Sequence, residues 1–421
     1  MTATIDATDD AVVQCPKPHY REMRDQSPVL ELDGAPFGRP GEKIYAVSRY
    51  DDVNRILHEP GTFSSRFGTP AAKPSPELVE RLREVIAEGW PNVPTMLTED
   101  PPTHTRYRRL VSMAFTPKRV NELEPAIRAI CADLVDGFGG AERVDFLNSF
   151  AVALPVRAVA VILEVPETRQ AEFKKWADSS VAAIGRTITD DERVAAERDI
   201  VEQQQYFASE IEDRRVNPRD DFLTDLLNAE LPAADDIEGG PLGMAEMLSI
   251  IRQIQVAGSE TTASLLADAM VQLAKHPDEW ERLKADPSRA PLVVEESLRW
   301  ASPNQGLFRI VTSDTEVAGT PIPKGSTIWV MYGSADHDDR LFEDPEEFRP
   351  DRPGLNQHIA FGHGIHFCLG AALARLEAVC ALQELAARLD TISVVGEDDL
   401  RYGRSFILRG LEHLELDVTY R

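Results

Sequence analysis

Cysteine is scarce in this chain. Its 421 residues hold four, Cys15, Cys131, Cys368 and Cys380, and no two stand at the spacing of paired zinc ligands or a redox dithiol. A disulfide-stapled fold is thereby excluded, and a reducing interior is expected. Basic charge is short as well: 45 Lys and Arg face 71 Asp and Glu, for a formal charge of −26. Nucleic acid needs a surplus of positive charge along one face, so it is not an expected partner. The acid surplus favours solubility instead. Long hydrophobic runs are missing too. The greasiest stretch, Ala151 to Pro166, is broken by Pro155 and Arg157 and is too short to span a bilayer. The start, MTATIDATDDAVVQ, has neither the basic opening nor the apolar centre of a secretory signal. A cytoplasmic protein with no membrane attachment is expected. No Gly/Ser linker divides the chain, no repeat recurs, and no regular strand-helix alternation suggests a doubly wound sheet.

What is present is helical periodicity. Hydrophobic residues make up 43% and charged residues 28%, enough apolar surface for a packed core rather than a disordered chain. Apolar residues recur at helical spacing across Pro76–Ala87, Val120–Phe138, Arg193–Arg214 and Met244–Lys275. Short strands are expected at Ile44–Val47, Glu316–Val317, Thr327–Val330 and Leu414–Val418. The reading is a mainly α domain with small β-sheets over residues 19–421, behind a flexible acidic leader at 1–18. The acidic, Pro/Gly-rich stretch Leu231–Leu242 reads as an exposed loop. Met244–Lys275 is far longer than an average helix and apolar on most sides, so it should run through the core and stop before Pro277.

From Phe361 the sequence runs FGHGIHFCLGAALARLEAVCALQELAARL. Gly362, Gly364 and Gly370 crowd around Cys368, and a strong helix pattern follows. A cysteine near a helix N-terminus meets free N–H groups that favour the thiolate, which suits a metal ligand or a nucleophile. The glycines allow sharp bends and the close approach of a flat cofactor. Cys131 and Cys380 read as buried core thiols. A zinc site through His366 and Cys368 lacks a second ligand pair, and a cysteine hydrolase lacks an oriented base beyond His366.

Phe361-x-x-Gly364-x-x-x-Cys368-x-Gly370, with Ala374 four residues on, resembles the haem-binding signature of the cytochrome P450 superfamily. The resemblance implies that superfamily's triangular prism-shaped haem domain, with haem b (iron protoporphyrin IX) as cofactor. Cys368 would be the axial thiolate that pushes electron density onto iron, Phe361 would pack beside it, and His366 would bond a haem propionate. Inside the long helix, Ala257-Gly258-Ser259-Glu260-Thr261-Thr262 matches the distal motif of Ala/Gly-Gly-x-acid-Thr. A mid-helix glycine costs about 1 kcal/mol relative to alanine, so Gly258 suggests close approach of the cofactor. An acid beside a hydroxyl can relay protons, and the resemblance makes Thr261 the oxygen-activating alcohol and Glu260 the acid, where many relatives carry aspartate. Read without the family, the same residues are two back-bonded threonines and a solvated glutamate.

Glu296-x-x-Arg299 lies one helical turn apart and alone reads as a surface ion pair. The superfamily has that pair buried and joined by a later arginine, which Phe348-x-Pro350-x-Arg352 supplies, giving the structural triad Glu296, Arg299 and Arg352. His104 and Arg108 in DPPTHTRYRR share a helix face; with Arg309 and His366 they are implied to hold the haem carboxylates. Ala335-Asp336-His337-Asp338-Asp339 stands where relatives often read Ala-Asn-Arg-Asp-Pro, a departure read as affecting a loop.

The activity implied is monooxygenation, one atom of O2 entering a C–H bond of a hydrophobic small molecule such as a terpenoid, fatty acid or steroid. The haem domain uses the whole length, so electrons are expected from an external ferredoxin, its reductase and NAD(P)H, delivered to a monomer. Pro101–Asn121 carries Arg106, Arg108, Arg109, Lys118 and Arg119 with no acid, a candidate dock for an acidic ferredoxin. The substrate pocket is expected to draw on Trp90, Met96, Leu97, Val181, Ile184, Val256, Ala257, Leu307, Phe308 and Phe406, most of them apolar.

Overall fold

The computed structural model describes residues 9–37, 41–67, 75–182, 188–231 and 239–421. Helices form where the periodicity placed them: Pro76–Ile86, Asp190–Val216 and Met244–Lys275. The Asp190 helix opens on a capping box, in which the Thr189 hydroxyl accepts from the Glu192 N–H and the Glu192 carboxylate accepts from the Thr189 N–H. The helix expected over Val120–Phe138 is two, Pro117–Glu122 and Glu124–Asp136. Pro125 fits the first turn of the second helix but cannot continue the first. The long helix has 32 residues, is buried without a gap from Thr262 to Leu273, and ends at His276 ahead of Pro277.

That helix is the spine. It packs against Ala153–Ile162, Ala290–Ala301 and Ala371–Arg388. Leu265, Leu266 and Met270 meet Val293, Val294, Leu382 and Leu385 in the largest core cluster, where each fully buried side chain contributes roughly 1.5–3 kcal/mol. A second cluster gathers Phe173, Trp176, Phe207, Met247 and Ile251 around its N-terminal half.

A five-stranded sheet runs in the order Val29–Asp33, Lys43–Val47, Thr327–Val330, Leu307–Val311, Phe63–Ser64. Thr327–Val330 is parallel to Lys43–Val47 and antiparallel to Leu307–Val311. Side chains alternate along a strand, so Phe308 and Arg309 leave on opposite faces. Phe308 enters an aromatic cluster with Phe37, Phe67, Trp329 and Phe406. A three-stranded sheet joins Leu389–Val394, Glu415–Tyr420 and Arg143–Asp145. The strands expected at Glu316–Val317 and Leu414–Val418 are Thr315–Val317 and Glu415–Tyr420. Of the expected loop Leu231–Leu242, Leu231 and Gly240 pair across a short antiparallel bridge, and residues 232–238 lie outside the described ones.

The expected leader needs correction from Asp9 onward. Asp10–Gln14 and Pro16–Gln26 are helices, and Val12 and Val13 are buried. Arg409 donates to Val13 O at 2.6 Å and Gln14 O at 3.1 Å, and the Gln14 amide bonds the Tyr402 backbone in both directions. These contacts fix backbone that would otherwise fray.

Candidate functional site

Cys368 stands two residues before Gly370, which caps the Ala371–Arg388 helix. Gly362 and Gly364 hold φ of 65° and 69°, the left-handed region that disfavours other residues. A Cβ on Gly364 would run into the Leu57 carbonyl oxygen, so that glycine is needed for the loop to lie on the Tyr50–His58 helix. His363 Nδ1 pairs there with Asn54 Oδ1 at 2.7 Å. The Cys368 N–H donates to Phe361 O at 2.9 Å. Burial pushes the Cys368 thiol up, against the opposing pull of the Gly370 N–H, Arg108 and Arg375. The pull toward the thiolate expected from the helix end is present, burial works against it, and a bound cation would add to it.

A cluster not foreseen from sequence braces this loop. Arg375 lies 4.5 Å over the Phe361 ring and donates to both Glu295 oxygens at 2.5 and 2.9 Å, while His358 Nε2 lies 3.0 Å from Glu295. Burial works against the Glu295 charge, but its bonds to Arg375 and His358 bring the carboxyl down to about 2.

The four residues expected to hold haem carboxylates come together. His104 and His366 have ring centroids 4.3 Å apart. Burial, then the charge of Arg108, pushes His104 down to about 4; burial, then Arg309, His104 and Arg108, pushes His366 down to about 3. Both ring nitrogens of His104 are buried and, among the described residues, have no hydrogen-bond partner. Arg108 reaches the loop itself, donating to Phe367 O at 2.6 Å. Arg309 is buried and donates to Phe308 O at 2.7 Å. Among the described residues none of the four forms an ion pair with an acid. Ser65, which carried no signal in the sequence, meets His366 Nε2 at 2.9 Å, and Asp100 in turn accepts from the Ser65 N–H at 2.8 Å.

On the long helix Thr261 donates its hydroxyl to Ala257 O at 2.8 Å, the back-bonded arrangement. Glu260 and Thr261 keep some open surface, and Ala257 is exposed although the helix runs through the core. Gly258 has a packing role that the sequence did not show. A Cβ there would lie 2.8 Å from Val159 Cγ2, so the glycine lets the Ala153–Ile162 helix approach.

The triad is assembled and buried. Arg299 donates to both Glu296 oxygens at 2.8 Å, and Arg352 reaches Glu296 Oε1 at 3.5 Å. Arg299 also donates to the backbone carbonyls of Asp336, Pro345 and Glu347, and Arg352 to those of Glu343, Asp344 and Glu347, while Arg352 Nε has no hydrogen-bond partner among the described residues. Glu296 also accepts from the Arg349 N–H at 2.8 Å. The Ala335–Asp339 segment is more than a loop variation. Asp336 is fully buried and accepts from the Ile359 N–H at 2.5 Å and the Ser302 hydroxyl at 2.8 Å, and burial raises its carboxyl to about 6. It thus ties the triad to the segment entering the cysteine loop.

Comparison with known proteins agrees with this geometry. The family model described as Cytochrome P450 matches residues 188–391. Cytochrome P450 107B1 of Saccharopolyspora erythraea is 35% identical over 416 residues, 97% of this chain and 96% of that one. The chain belongs to the cytochrome P450 family. The 6-deoxyerythronolide B hydroxylase of the same organism is 33% identical, covering 94% of each chain. The structure of cytochrome P450 CYP109Q5 from Chondromyces apiculatus superposes with a TM-score of 0.85 at 36% identity over the full length of both. The fold expected from the cysteine loop is therefore the fold observed. As a cytochrome P450 the protein is a monooxygenase, an oxidoreductase that works through haem-thiolate iron. Among the described residues no helix is long and apolar enough to cross a membrane.

The expected pocket residues of this P450 divide. Val256, Leu307, Phe406, Trp90 and Val181 are half-buried, and Leu97 and Ala257 are exposed. Phe308, at 1% exposure, belongs to the aromatic core with Phe37, Phe67 and Trp329. Met96 is sealed at 7% exposure in the core around Tyr107. Ile184 lies outside the described residues. The expected basic patch is thinner than its sequence. Arg106 is buried, Arg108 turns to the cysteine loop, and Arg119 pairs with Asp225. Arg109 and Lys118 stay exposed.

Proposed function

We propose that this P450 holds haem b through the Cys368 sulfur and inserts one atom of O2 into a C–H bond of an apolar small molecule, of the terpenoid, fatty acid or steroid kind. The observation that carries the reading is the group of His104, Arg108, Arg309 and His366 beside the cysteine loop, buried or partly so and, among the described residues, in no ion pair with an acid. Buried N–H donors of this kind need anions, and the two carboxylates of a porphyrin would supply them. A bound haem would take the Cys368 sulfur as its ligand from the protein, with the four side chains meeting its carboxylates. When bound, a thiolate-ligated haem supplies oxygen activation and C–H insertion.

The chain's own residues do the rest. The Gly362 and Gly364 turns, with the Phe361–Arg375–Glu295 brace, hold the Cys368 sulfur in place. Thr261 has its hydroxyl hydrogen engaged by Ala257 O, so its oxygen is left to accept, and it can hold a water next to the reacting oxygen. Glu260 on the same open stripe is the acid that delivers the proton. An external ferredoxin, with its reductase and NAD(P)H, is the electron source that fits, docking over Arg109 and Lys118.

The deciding measurement is the absorption spectrum of the reduced protein with carbon monoxide. The thiolate signature should appear and vanish in Cys368→Ala; a colourless protein, or an unchanged spectrum in the variant, would overturn the assignment. Thr261→Ala should keep electron consumption but lose product to peroxide; unchanged coupling removes Thr261 from the relay. Charge reversal at Arg109 and Lys118 should slow reduction by an acidic ferredoxin and flatten its salt dependence, and equal rates would dismiss the dock.

A further inference from the structure

The middle of the long helix is open along a single stripe. Between Ile251 and Thr262 the positions that keep surface on that stripe are Arg252, Gln253, Val256, Ala257, Glu260 and Thr261. At 3.6 residues per turn they span about half the helix circumference. Their surroundings say what the stripe faces. Ser249 accepts from the Val93 N–H at 2.9 Å and Gln253 pairs with Thr95 at 3.2 Å, which puts the 93–95 loop along one edge. On the other side Gln255 donates to Phe173 O at 2.9 Å, which fixes the Gln170–Val181 helix there. Arg252 lies between these two boundaries, at the end of the stripe farthest from Thr261. Nine residues separate the two, about 13 Å along the axis.

Arg252 differs from the other arginines of the interior. Arg214 is held by Glu210 and Asp221, Arg299 by Glu296, and Arg24 by the Ser334 carbonyl and hydroxyl. Among the described residues Arg252 has no hydrogen-bond partner and no acid within ion-pair distance. Burial pulls its pKa below the usual arginine range, and the charge of Glu197 opposes this only from a distance. A half-buried guanidinium without an anion carries a desolvation cost that a ligand oxyanion would offset, and its planar fork suits carboxylate or phosphate.

We propose that Arg252 anchors an anionic end group, carboxylate or phosphate, of an elongated apolar substrate whose oxidised carbon lies near Thr261. This rests on the monooxygenase reading above and narrows its substrate class to amphipathic anions. Val256 and Ala257, between the two ends, offer the apolar wall along which the chain would lie. Neutral terpenoids and steroids would leave Arg252 unpaired and so bind at a disadvantage.

The test compares dodecanoic, tetradecanoic and hexadecanoic acid with their methyl esters and with alkyl phosphates of equal length. Affinities are read from the substrate-induced spin-state change of the haem-loaded protein and, without the chromophore, from equilibrium dialysis. In the native chain at least one anion should bind about tenfold to a hundredfold more tightly than the ester, the worth of a charge-assisted hydrogen bond. Which anion wins tells carboxylate from phosphate. Arg252→Gln should abolish that preference while leaving ester affinity and the carbon monoxide spectrum as they were. Esters binding as well as both anions, or a preference that survives in Arg252→Gln, would overturn the proposal. A missing thiolate spectrum would overturn the haem reading alone, because dialysis still decides the role of Arg252.

Discussion

Glu377 lies on the helix that follows Cys368, 1% exposed, and among the described residues its Oε2 has no hydrogen-bond partner. The thiols of Cys131 and Cys380 nearby bring no positive charge. Burial alone pushes its carboxyl from 4.5 up to about 8. The folded protein therefore keeps Glu377 protonated at neutral pH, whereas the unfolded chain releases that proton above about pH 4.3. A group whose pKa is raised by folding loses stability as pH climbs from the unfolded value to the folded one, with a slope of about 1.4 kcal/mol per unit. At pH 7 the loss comes to about 4 kcal/mol, of which about 0.6 kcal/mol has already gone by pH 4.5, and above pH 8 it levels at about 5 kcal/mol. Glu377→Gln has no proton to release and removes this dependence. A chain of 421 residues shifts its midpoint by roughly 1 °C per kcal/mol. Thermal unfolding of haem-loaded native and Glu377→Gln protein from pH 4.5 to 8.5 should thus diverge, by about 3 °C at pH 7 relative to pH 4.5, in favour of the variant. The glutamine amide can add an offset of either sign, but that offset does not vary with pH. A difference that stays constant across the range would refute the burial argument.

Glu296→Ala should destabilise by about 3–5 kcal/mol in urea unfolding, because it leaves Arg299 and Arg352 charged and buried without their carboxylate; a loss under 1 kcal/mol would mean that the backbone carbonyls alone satisfy both. Gly258→Ala should cost about 1–3 kcal/mol through its contact with Val159, and Val159→Ala in the same chain should recover most of it. Absence of recovery would place the need for that glycine elsewhere.

What could be read from the sequence, and what could not, divides by the range over which the physics acts. The bounds of Met244–Lys275 were visible because an all-round apolar pattern and a proline at 277 are local facts. The cysteine loop was visible because glycines with positive φ leave a mark wherever they stand. Glu296 and Arg299 were visible as a pair through their one-turn spacing, though nothing local said they were buried. The brace of Glu295, Arg375 and His358 spans 80 residues between its two main partners, and such pairs have no spacing signature. The same holds for the N-terminal helices, which owe their order to Arg409, 396 residues away from Val13. Phe308 shows a third kind of limit. Strand alternation says that Phe308 and Arg309 part company, but what each one meets depends on the neighbouring strands, and Phe308 joins an aromatic cluster with Phe37 and Phe406 that no local pattern announced. Gly258 shows a fourth. Its cost in a helix interior signals that something approaches closely, and only packing reveals that the visitor is another helix. The inference from a costly residue to a use was sound there, and packing supplies one such use, the approach of the Ala153–Ile162 helix. Arg252 poses the same question with the opposite evidence: among the described residues no side chain hydrogen-bonds to it or stands within ion-pair distance, and the charge of Glu197 acts on it only from farther away.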